Sequence, residues 1–393
     1  MSRDVVITAA VRTAIGKFGG ALSGVRVSDL GAIVIKEALA RSGAKPEDAD
    51  EVIMGCVLQA AQGMNVARQA TLKAGLPVKV PAMTVNNVCG SGLKSVTMAA
   101  SMIESGAAEV IVAGGMETMS GAAYALAKAR FGYRMNNAAI IDTMVNDALW
   151  DAFYDCHMGI TAENVAERYG ITRRSQDEFS FLSQQKSGRA WKEKRFGSEI
   201  VPVPVRSKEG EGLFEVDEFP RKGVTIESLS ALKPAFKADG TVTAGNATGI
   251  NDGAAAVVLM SSDKAKELGA KPLARLVAGA SAGVPPEVMG IGPVHSSRKA
   301  LEMAGLKIED LDLIEVNEAF AAQALAVCGE LGFDPDKVNV NGGAIALGHP
   351  VGASGVRILV TLVHELNRRG LRRGLATLCV GGGMGVSAIV EAA

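Results

Sequence analysis

Two kinds of apolar pattern alternate along the chain. Nearly continuous apolar runs at 4–11, 51–55 and 109–115 predict buried strands. Between them, residues 28–42 and 91–106 carry apolar side chains three to four positions apart, which predicts helices with one buried face. Strands that alternate with helices form largely parallel sheets that are covered by helices on both faces. The pattern therefore predicts an α/β fold.

The second half of the chain repeats the first. Residues 38–55 (ALARSGAKPEDADEVIMG) and 300–317 (ALEMAGLKIEDLDLIEVN) are identical at 7 of 18 positions without a gap. In the same order, CGSGLK at 89–94 corresponds to GASGVR at 352–357, and VAGGM at 112–116 corresponds to VGGGM at 380–384. Two copies of one sheet-and-helix unit explain this order.

The repeat also locates an insertion in the first copy. After VGGGM the second copy continues directly into an apolar strand, whereas the first copy reaches its equivalent, DGAAAVVLM, only at 252–260. We therefore predict three parts: a first half at 1–116 plus 252–271, an inserted loop domain at 117–251 and a second half at 272–393. The insertion holds both tryptophans and much of the charge, which favours a lid or substrate-binding domain. An oligomerisation arm is the alternative.

Composition and charge narrow the class of protein. Lys plus Arg number 41 and Asp plus Glu number 42, so the net charge of −1 gives no field that would attract nucleic acid or an anionic membrane. The apolar stretch near the N-terminus is too short for a signal peptide, and no apolar run is long enough to span a bilayer. These features predict a cytoplasmic protein. Glycine is abundant, at 46 of 393 residues without a G-X-Y period, so many close backbone approaches are expected.

The five cysteines are odd in number and widely spaced, with no Cys-x-x-Cys pair and no Cys/His cluster at zinc spacing. Reduced thiols are therefore expected, with neither disulfides nor a metal site. Cys89 is the first chemical candidate, because it follows the predicted strand at 83–88 and precedes Gly90-Ser91-Gly92 at a helix start. Free N–H groups and the helix dipole at such a place lower a thiol pKa, which favours a nucleophile. A small buried apolar residue is the alternative.

Three further candidates lie at the ends of equivalent strands. His349 lies in the glycine-rich loop NGGAIALGHPVGASG before a helix, and the duplication would bring it to the same edge as Cys89; a surface or capping histidine is the alternative. Cys379 ends the strand at 374–380 ahead of three glycines, whose N–H groups could face a ligand; a strand-core cysteine is the alternative. Asn317 ends another strand, where capping of the next helix is the first interpretation and the anchoring of a water molecule is the second.

Six motifs, in one order and spread over the whole chain, resemble those of the thiolases. They are NNVCGSG, HMGITAEN, AGNATGINDGAAA, NEAF, GGAIALGHPVGASG and LCVGGGMG. The resemblance is strongest to the biosynthetic branch. It implies a duplicated thiolase fold, five-layered αβαβα with an inserted loop domain, and a homotetramer built from two tight dimers. It also implies that coenzyme A is a substrate and product, with no separate cofactor and no metal.

The resemblance also implies roles for the candidate residues. Cys89 would take the acetyl group from acetyl-CoA as a thioester, with His349 as its base. Cys379 would move the proton of the second acetyl-CoA. His349 and a water held by Asn317 would form one oxyanion hole, and the N–H groups of Cys89 and Gly381 would form the other.

Further residues match the positions that bind the substrate in this family. His157 and Met158 would line the short-chain acyl pocket, and Ala319 and Phe320 would close it from the other side. The positions that match those around coenzyme A are Arg221, Ser228, Phe236, Ala244 and Thr248. The chain departs from the usual pattern at Thr248 (often Ser), Asn87 (often Lys) and Met384 (often Gln). None of these departures removes a catalytic group.

The activity implied is that of an acetyl-CoA C-acetyltransferase, which converts two acetyl-CoA reversibly into acetoacetyl-CoA and CoA. A degradative 3-ketoacyl-CoA thiolase of broader chain length is the alternative, against which His157 and Met158 argue. A β-ketoacyl synthase would have a second histidine where this chain has Asn317. A catalytically silent binding protein or scaffold of the same fold would be expected to lack Cys89, Cys379 or His349, and all three are present.

Overall fold

The computed structural model describes residues 3–207 and 210–393. Its strands are β1 Val5–Thr13, β2 Gly16–Lys17, β3 Glu51–Gly55, β4 Ala82–Val85, β5 Val110–Thr118, β6 Tyr124–Ala125, β7 Ile141–Asp142, β8 Trp150–Asp151, β9 Cys156–His157, β10 Ile200–Val201, β11 Val203–Ser207, β12 Gly210–Phe214, β13 Asn251–Ser261, β14 Ala274–Gly283, β15 Leu313–Val316, β16 Arg373–Val380 and β17 Met384–Ala392. Its α-helices are α1 Val27–Ser42, α2 Val66–Lys73, α3 Ser91–Glu104, α4 Met158–Tyr169, α5 Arg173–Lys192, α6 Ile226–Ser230, α7 Ser262–Leu268, α8 Gly292–Ala304, α9 Ala321–Leu331, α10 Ala344–Leu347 and α11 Ser354–Arg369.

The two halves have the same sheet topology. In the first half the strand order is β4-β3-β5-β13-β1, with parallel pairing among β4, β3 and β5 and antiparallel pairing of β5, β13 and β1. The second half repeats this as β15-β16-β17-β14, with a parallel bridge from Ile314 to Val338 in place of β4. The pairs β1–β13 and β14–β17 also have equivalent register shifts, at Ile7/Ala9 and at Leu276/Ala278. The predicted duplication is confirmed.

Antiparallel pairing of β1 with β14 makes the two series one continuous sheet, which folds around two central helices. Val5 and Ile7 of β1 pack in the cluster that contains α3 and α11, whereas Val6 and Val11 face the cluster of α1 and α2. In β16, Leu378 faces the central helices while Leu375 faces α8 and α9. The alternation follows from the two-residue period of a strand. Five layers, αβαβα, result as predicted.

Glycines allow the two halves to cross closely. The carbonyl oxygen of Gly352 would lie 2.1 Å from a Cβ atom added at Gly115, 2.8 Å from one at Gly55 and 3.0 Å from one at Gly92. Because a carbon and an oxygen cannot approach so closely without displacement, these three positions next to the Gly352 carbonyl favour glycine. This crossing accounts for part of the glycine excess.

The segment 117–251 carries β6 to β12 and α4 to α6, and its polar residues contact the first strand. Arg12 of β1 is buried and pairs with Glu199 and with Asp217, the latter at 2.7 Å. Removing one partner of such a pair would leave a buried charge without compensation. The boundaries given to the three parts stay a prediction.

Two details of the predicted elements are wrong. The strand expected over 83–88 ends at Val85, because the chain turns at the next residues and Val88 adopts φ 44°. Helix α1 begins at Val27, one residue before the predicted start at 28, and no side chain caps its first turn. In the part of the chain that the structure describes, no helix is both long and apolar enough to cross a membrane.

Candidate active site

A cavity of about 520 Å³ lies where the two halves meet the segment 117–251. Ten of the residues selected from the sequence line it: Cys89, His157, Met158, Arg221, Phe236, Ala244, Thr248, Ala319, Phe320 and His349. Four do not line it: Asn317, Cys379, Gly381 and Ser228. The fold therefore brings together residues that lie far apart in the chain, such as Cys89 and His349, which are separated by 260 positions.

Cys89 reaches the cavity from a strained turn. Val88, immediately before it, is a β-branched residue with φ 44°, a conformation that such side chains rarely adopt. The N–H groups of Gly381 and of Cys89 itself stabilise the thiolate, but burial has the larger effect and raises the pKa of Cys89 to about 11. The expectation of a lowered thiol pKa is therefore wrong. Cys89 needs a base in order to become a nucleophile.

His349 is buried and held by its loop. Its backbone N–H donates to Asn251 Oδ1 at 2.9 Å, and the preceding Gly348 has φ 106° with no room for a Cβ atom beside Asn251. Burial, helped by the positive charge of Arg357, lowers the pKa of His349 to about 3. The imidazole is therefore neutral near pH 7. Its Nε2 atom has no hydrogen-bond partner among the described residues, which leaves it available to substrate or to Cys89.

Cys379 lies behind the cavity wall. It is fully buried near the end of β16 and packs in one cluster with Met158, Ala319 and Phe320. Burial raises the pKa of Cys379, and the neighbouring Cys89 raises it further. Gly381 follows in the turn to β17, where an added Cβ atom would lie 3.6 Å from Met158 Sδ. The two thiols and the Gly381 N–H group thus belong to one site.

Asn317 does not cap a helix, so the first interpretation of this residue is wrong. Helix α9 begins only at Ala321, because Phe320 is extended and forms an antiparallel bridge with Ala247. Both polar atoms of the Asn317 side chain are buried without a partner in the described structure. A buried amide in this state is expected to bind water or a ligand.

Aromatic rings line the part of the cavity next to Met158. The ring of His157 stacks on Phe236 with centroids 4.7 Å apart, and Phe236 meets the edge of Phe320 at 6.2 Å. His157 also caps α4, since its Nδ1 atom accepts the N–H of Gly159 at 3.0 Å. A Cβ atom at Gly159 would lie 2.2 Å from the Phe236 ring. The glycine in HMGITAEN therefore makes room for Phe236.

The residues expected around coenzyme A divide into two groups. Arg221, Ala244 and Thr248 line the cavity, although the Thr248 hydroxyl already donates to Ala344 O at 2.9 Å. Ser228 is exposed and forms a capping box with Thr225 at the start of α6. The structure thus does not bring Ser228 into the cavity.

Sequence reasoning missed about half of the lining. The residues it did not select are Lys17, Phe18, Met119, Ala148, Leu149, Phe219, Ala235, Ala247, Gly249, Ile250, Met289 and Val351. Eight of these twelve lie outside the six motifs, so only contact in the folded chain could identify them. Some were close to detection: Gly249 and Ile250 are part of the motif AGNATGINDGAAA.

Glu117 is another group that the sequence did not reveal. Its buried carboxylate accepts the N–H groups of Val57 at 2.9 Å, Leu58 at 3.1 Å and Gly352 at 3.0 Å, and also the thiol of Cys56. Burial raises the pKa of Glu117 to about 7, although these donors lower it. The carboxylate ties the Gly352 turn, which follows His349, to the first half.

Comparisons with known proteins agree with this architecture. Residues 5–263 match the family model for the thiolase N-terminal domain, and residues 270–392 match that for the thiolase C-terminal domain. An acetyl-CoA acetyltransferase of Cupriavidus necator is 60% identical over 389 residues, which are 99% of each chain. An acetyl-CoA acetyltransferase of Escherichia coli is 57% identical over 390 residues, again 99% of each chain.

Solved structures give the same result. The crystal structure of the Bacillus anthracis acetyl-CoA acetyltransferase has a TM-score of 0.98 and 49% identity, and the match covers 100% of this chain and 99% of that one. The human mitochondrial 3-ketoacyl-CoA thiolase has a TM-score of 0.97 and 43% identity with the same coverage. With both domain models matched in order over nearly the whole length, the chain belongs to the thiolase family.

Proposed function

We propose that this chain is an acetyl-CoA C-acetyltransferase, which joins two acetyl-CoA reversibly to give acetoacetyl-CoA and CoA. The observation that carries the proposal is that Cys89 and His349 line one cavity, with Cys379 packed behind Met158, Ala319 and Phe320. The relatives that share 54–60% of their residues with it over full length, and carry that name, support the proposal.

The first half-reaction transfers an acetyl group to Cys89. Nε2 of His349 takes the thiol proton, and the sulfur attacks the carbonyl carbon of acetyl-CoA. The resulting oxyanion faces the N–H groups of Cys89 and Gly381, and each such donor contributes roughly 3 kcal/mol of transition-state stabilisation. The bond from that carbon to the CoA sulfur then breaks. The CoA thiolate leaves with the proton of Cys379, so that the enzyme holds an acetyl thioester, an imidazolium and the Cys379 thiolate.

The second half-reaction forms the carbon–carbon bond. The Cys379 thiolate removes a methyl proton from the second acetyl-CoA, and its raised pKa makes it a strong base for this weak carbon acid. The enolate oxygen is stabilised by the imidazolium N–H of His349 and by a water molecule bound to the unpartnered Asn317 amide. The enolate carbon attacks the acetyl thioester, and the Cys89 sulfur leaves and recovers its proton from His349.

We also infer a homotetramer that works in the cytoplasm and keeps no cofactor, since CoA enters and leaves as substrate and product. Large apolar side chains at 124–154 are exposed in the single chain, among them Phe131 and Phe153, and such a surface indicates association between copies. A reducing compartment is needed because Cys89 and Cys379 act as free thiols.

Two variants test the roles of the thiols. Cys89→Ala is expected to form no acetyl-enzyme with radiolabelled acetyl-CoA, because no other thiol replaces the nucleophile. Cys379→Ala is expected to acquire label on Cys89 but to lose condensation, because the base for the second half-reaction is missing. A labelled adduct on Cys89→Ala, or condensation by Cys379→Ala near the wild-type rate, would reject these roles.

Chain length separates the proposed activity from that of a degradative thiolase. Met158, Phe236 and Phe320 border the acyl end of the cavity closely, so we expect kcat/KM for thiolysis to fall as the 3-ketoacyl chain grows beyond four carbons. One extra methylene in a closed apolar pocket is worth about 1–3 kcal/mol. Higher kcat/KM for long chains than for acetoacetyl-CoA would assign the chain to the degradative class instead.

A further inference from the structure

The duplication places a serine at the same position in the strand-to-helix turn of each half. Ser91 follows Cys89 by two residues, and Ser354 follows Gly352 by two residues. Both side chains are buried, and both hydroxyls donate to a carbonyl of the preceding turn. Ser91 Oγ donates to Val88 O at 2.6 Å, and Ser354 Oγ donates to Pro350 O at 2.9 Å.

The two serine hydroxyls differ in the group that lies against their acceptor lone pair. In the first half, Ser91 Oγ accepts the backbone N–H of Asn87 at 2.8 Å. The residue that corresponds to Asn87 in the second half is Pro350, which has no N–H to donate. The lone pair of Ser354 is therefore left for a side chain, and Nδ1 of His349 lies within hydrogen-bond distance of it.

This arrangement decides which imidazole nitrogen carries the proton. A hydroxyl has one proton, and the carbonyl oxygen of Pro350 can only accept, so the Ser354 proton is directed to that oxygen. With its proton directed there, Ser354 accepts from Nδ1, so both contacts of the hydroxyl are hydrogen bonds only in the tautomer that carries the imidazole proton on Nδ1. Nε2 is left with its lone pair, in a residue that lines the same cavity as Cys89.

We propose that Ser354 is a positioning residue that holds His349 in the tautomer with its proton on Nδ1, so that Nε2 is the base toward Cys89. The role of Ser354 rests on the proposed function at one point only: that function identifies the proton that Nε2 accepts as the thiol proton of Cys89. The backbone of His349 is fixed separately, by Asn251. The Ser354 contact therefore controls the proton and the ring orientation rather than the course of the loop.

The tautomer can be measured directly in the full wild-type chain. The chain has four histidines, so ¹⁵N-histidine labelling gives a simple spectrum, and the His349→Gln variant assigns the resonances of this residue. Near pH 7 we expect Nδ1 to have the shift of a protonated nitrogen and Nε2 that of an unprotonated one. Protonation on Nε2 would overturn the proposal without any reference to activity.

Three variants then connect the tautomer to Cys89. Ser354→Ala is expected to move the proton of His349 to Nε2 and to slow alkylation of Cys89 by iodoacetamide, followed by mass spectrometry of its peptide, by about 10- to 100-fold. Ser354→Thr keeps the hydroxyl and is expected to restore both properties. Ser91→Ala is the matched control, since it loses the same kind of bond to a turn carbonyl but should leave the His349 resonances unchanged.

The outcomes separate this proposal from the proposed function. An unchanged tautomer and alkylation rate in Ser354→Ala, or an equal tautomer shift in Ser91→Ala, would reject the role of Ser354. Thermal unfolding shows whether Ser354→Ala and Ser354→Thr fold. If either does not, the ¹⁵N shifts of His349 in the wild-type chain still test the predicted tautomer. If the tautomer is as expected and the enzyme does not acetylate Cys89, the proposed function fails while the role of Ser354 stands.

Discussion

The turn at Cys89 and the turn at Gly352 are two copies of one structure with different tasks. Each turn lies between the sheet and the start of a central helix, which is α3 for the Cys89 turn and α11 for the Gly352 turn. In the first copy a cysteine reaches the cavity. In the second copy the same position is a glycine whose N–H donates to Glu117 and whose carbonyl oxygen packs on Gly115. In the proposed mechanism a symmetric scaffold thus becomes an active site: one copy would supply the nucleophile, and the other would carry its base three residues earlier.

The largest effect is expected where the copies differ chemically. His349 corresponds to Asn86 of the first copy, so His349→Asn makes the second copy resemble the first. We expect kcat to fall by about 10²- to 10⁴-fold, because the general base is lost.

Steady-state condensation and thiolysis assays measure this loss. His364→Asn is the control, since His364 lies on α11 outside the cavity and contacts Ser198 and Ala10. Activity of His349→Asn close to that of His364→Asn would mean that the asymmetry at this position is not catalytic.

The next effect concerns the glycine that replaces the nucleophile. In Gly352→Ala the new Cβ atom would lie 2.7 Å from Glu117 Oε2 and 2.9 Å from Met116 O. We expect the free energy of unfolding to fall by about 1–3 kcal/mol, as in other overpacked cores. Urea titration measures this change.

The control for Gly352 is a helical glycine in open space. Gly188 of α5 has no atom near the position of an added Cβ, so Gly188→Ala should raise stability by roughly 0.5–1 kcal/mol. If both variants gained stability, the close crossing of the two copies would not restrict position 352 to glycine.

The last effect is the pH dependence from Glu117, which has a glycine, Gly385, as its counterpart in the second copy. Burial raises the pKa of Glu117 from 4.5 to about 7. Between these values the folded chain holds a proton that the unfolded chain has released, so the free energy of unfolding falls as the pH rises. We expect wild type to lose stability relative to Glu117→Gln across this window.

Urea midpoints at several pH values test this slope. Glu178→Gln, on the exposed face of α5, is the control and should follow the wild-type curve. Parallel curves for wild type and Glu117→Gln would show that Glu117 does not hold this proton in the folded state.

The features that the sequence predicted correctly are those with a strong local signal. Strand and helix periods, and the repeated segments at 38–55 and 300–317, predicted the α/β class and the duplication. The glycines beside Cys89 and Cys379 marked two turns that the fold brings to one cavity and its wall. Phe219 and Met289 were missed, because an apolar loop residue has the same appearance in a core, a surface and a ligand cavity.

Electrostatic properties were not predictable in this way. The local arrangement at Cys89 indicated a lowered thiol pKa, whereas burial raises it to about 11. Asn317 was expected to cap a helix, whereas the extended Phe320 delays the helix to Ala321 and leaves the amide unpartnered. Both errors have one cause, which is that burial and unpaired groups depend on segments far away in the chain.

The sequence by itself determined which elements form and that they form twice, and it selected the candidate thiols and imidazole, because these follow from short-range periodicity and residue chemistry. Only the tertiary structure decided that Glu117 holds the Gly352 turn, that Ser354 faces Nδ1 of His349 and that Ser228 stays outside the cavity. Hydrogen bonds and desolvation act over a few ångströms, so they are set when distant segments pack together.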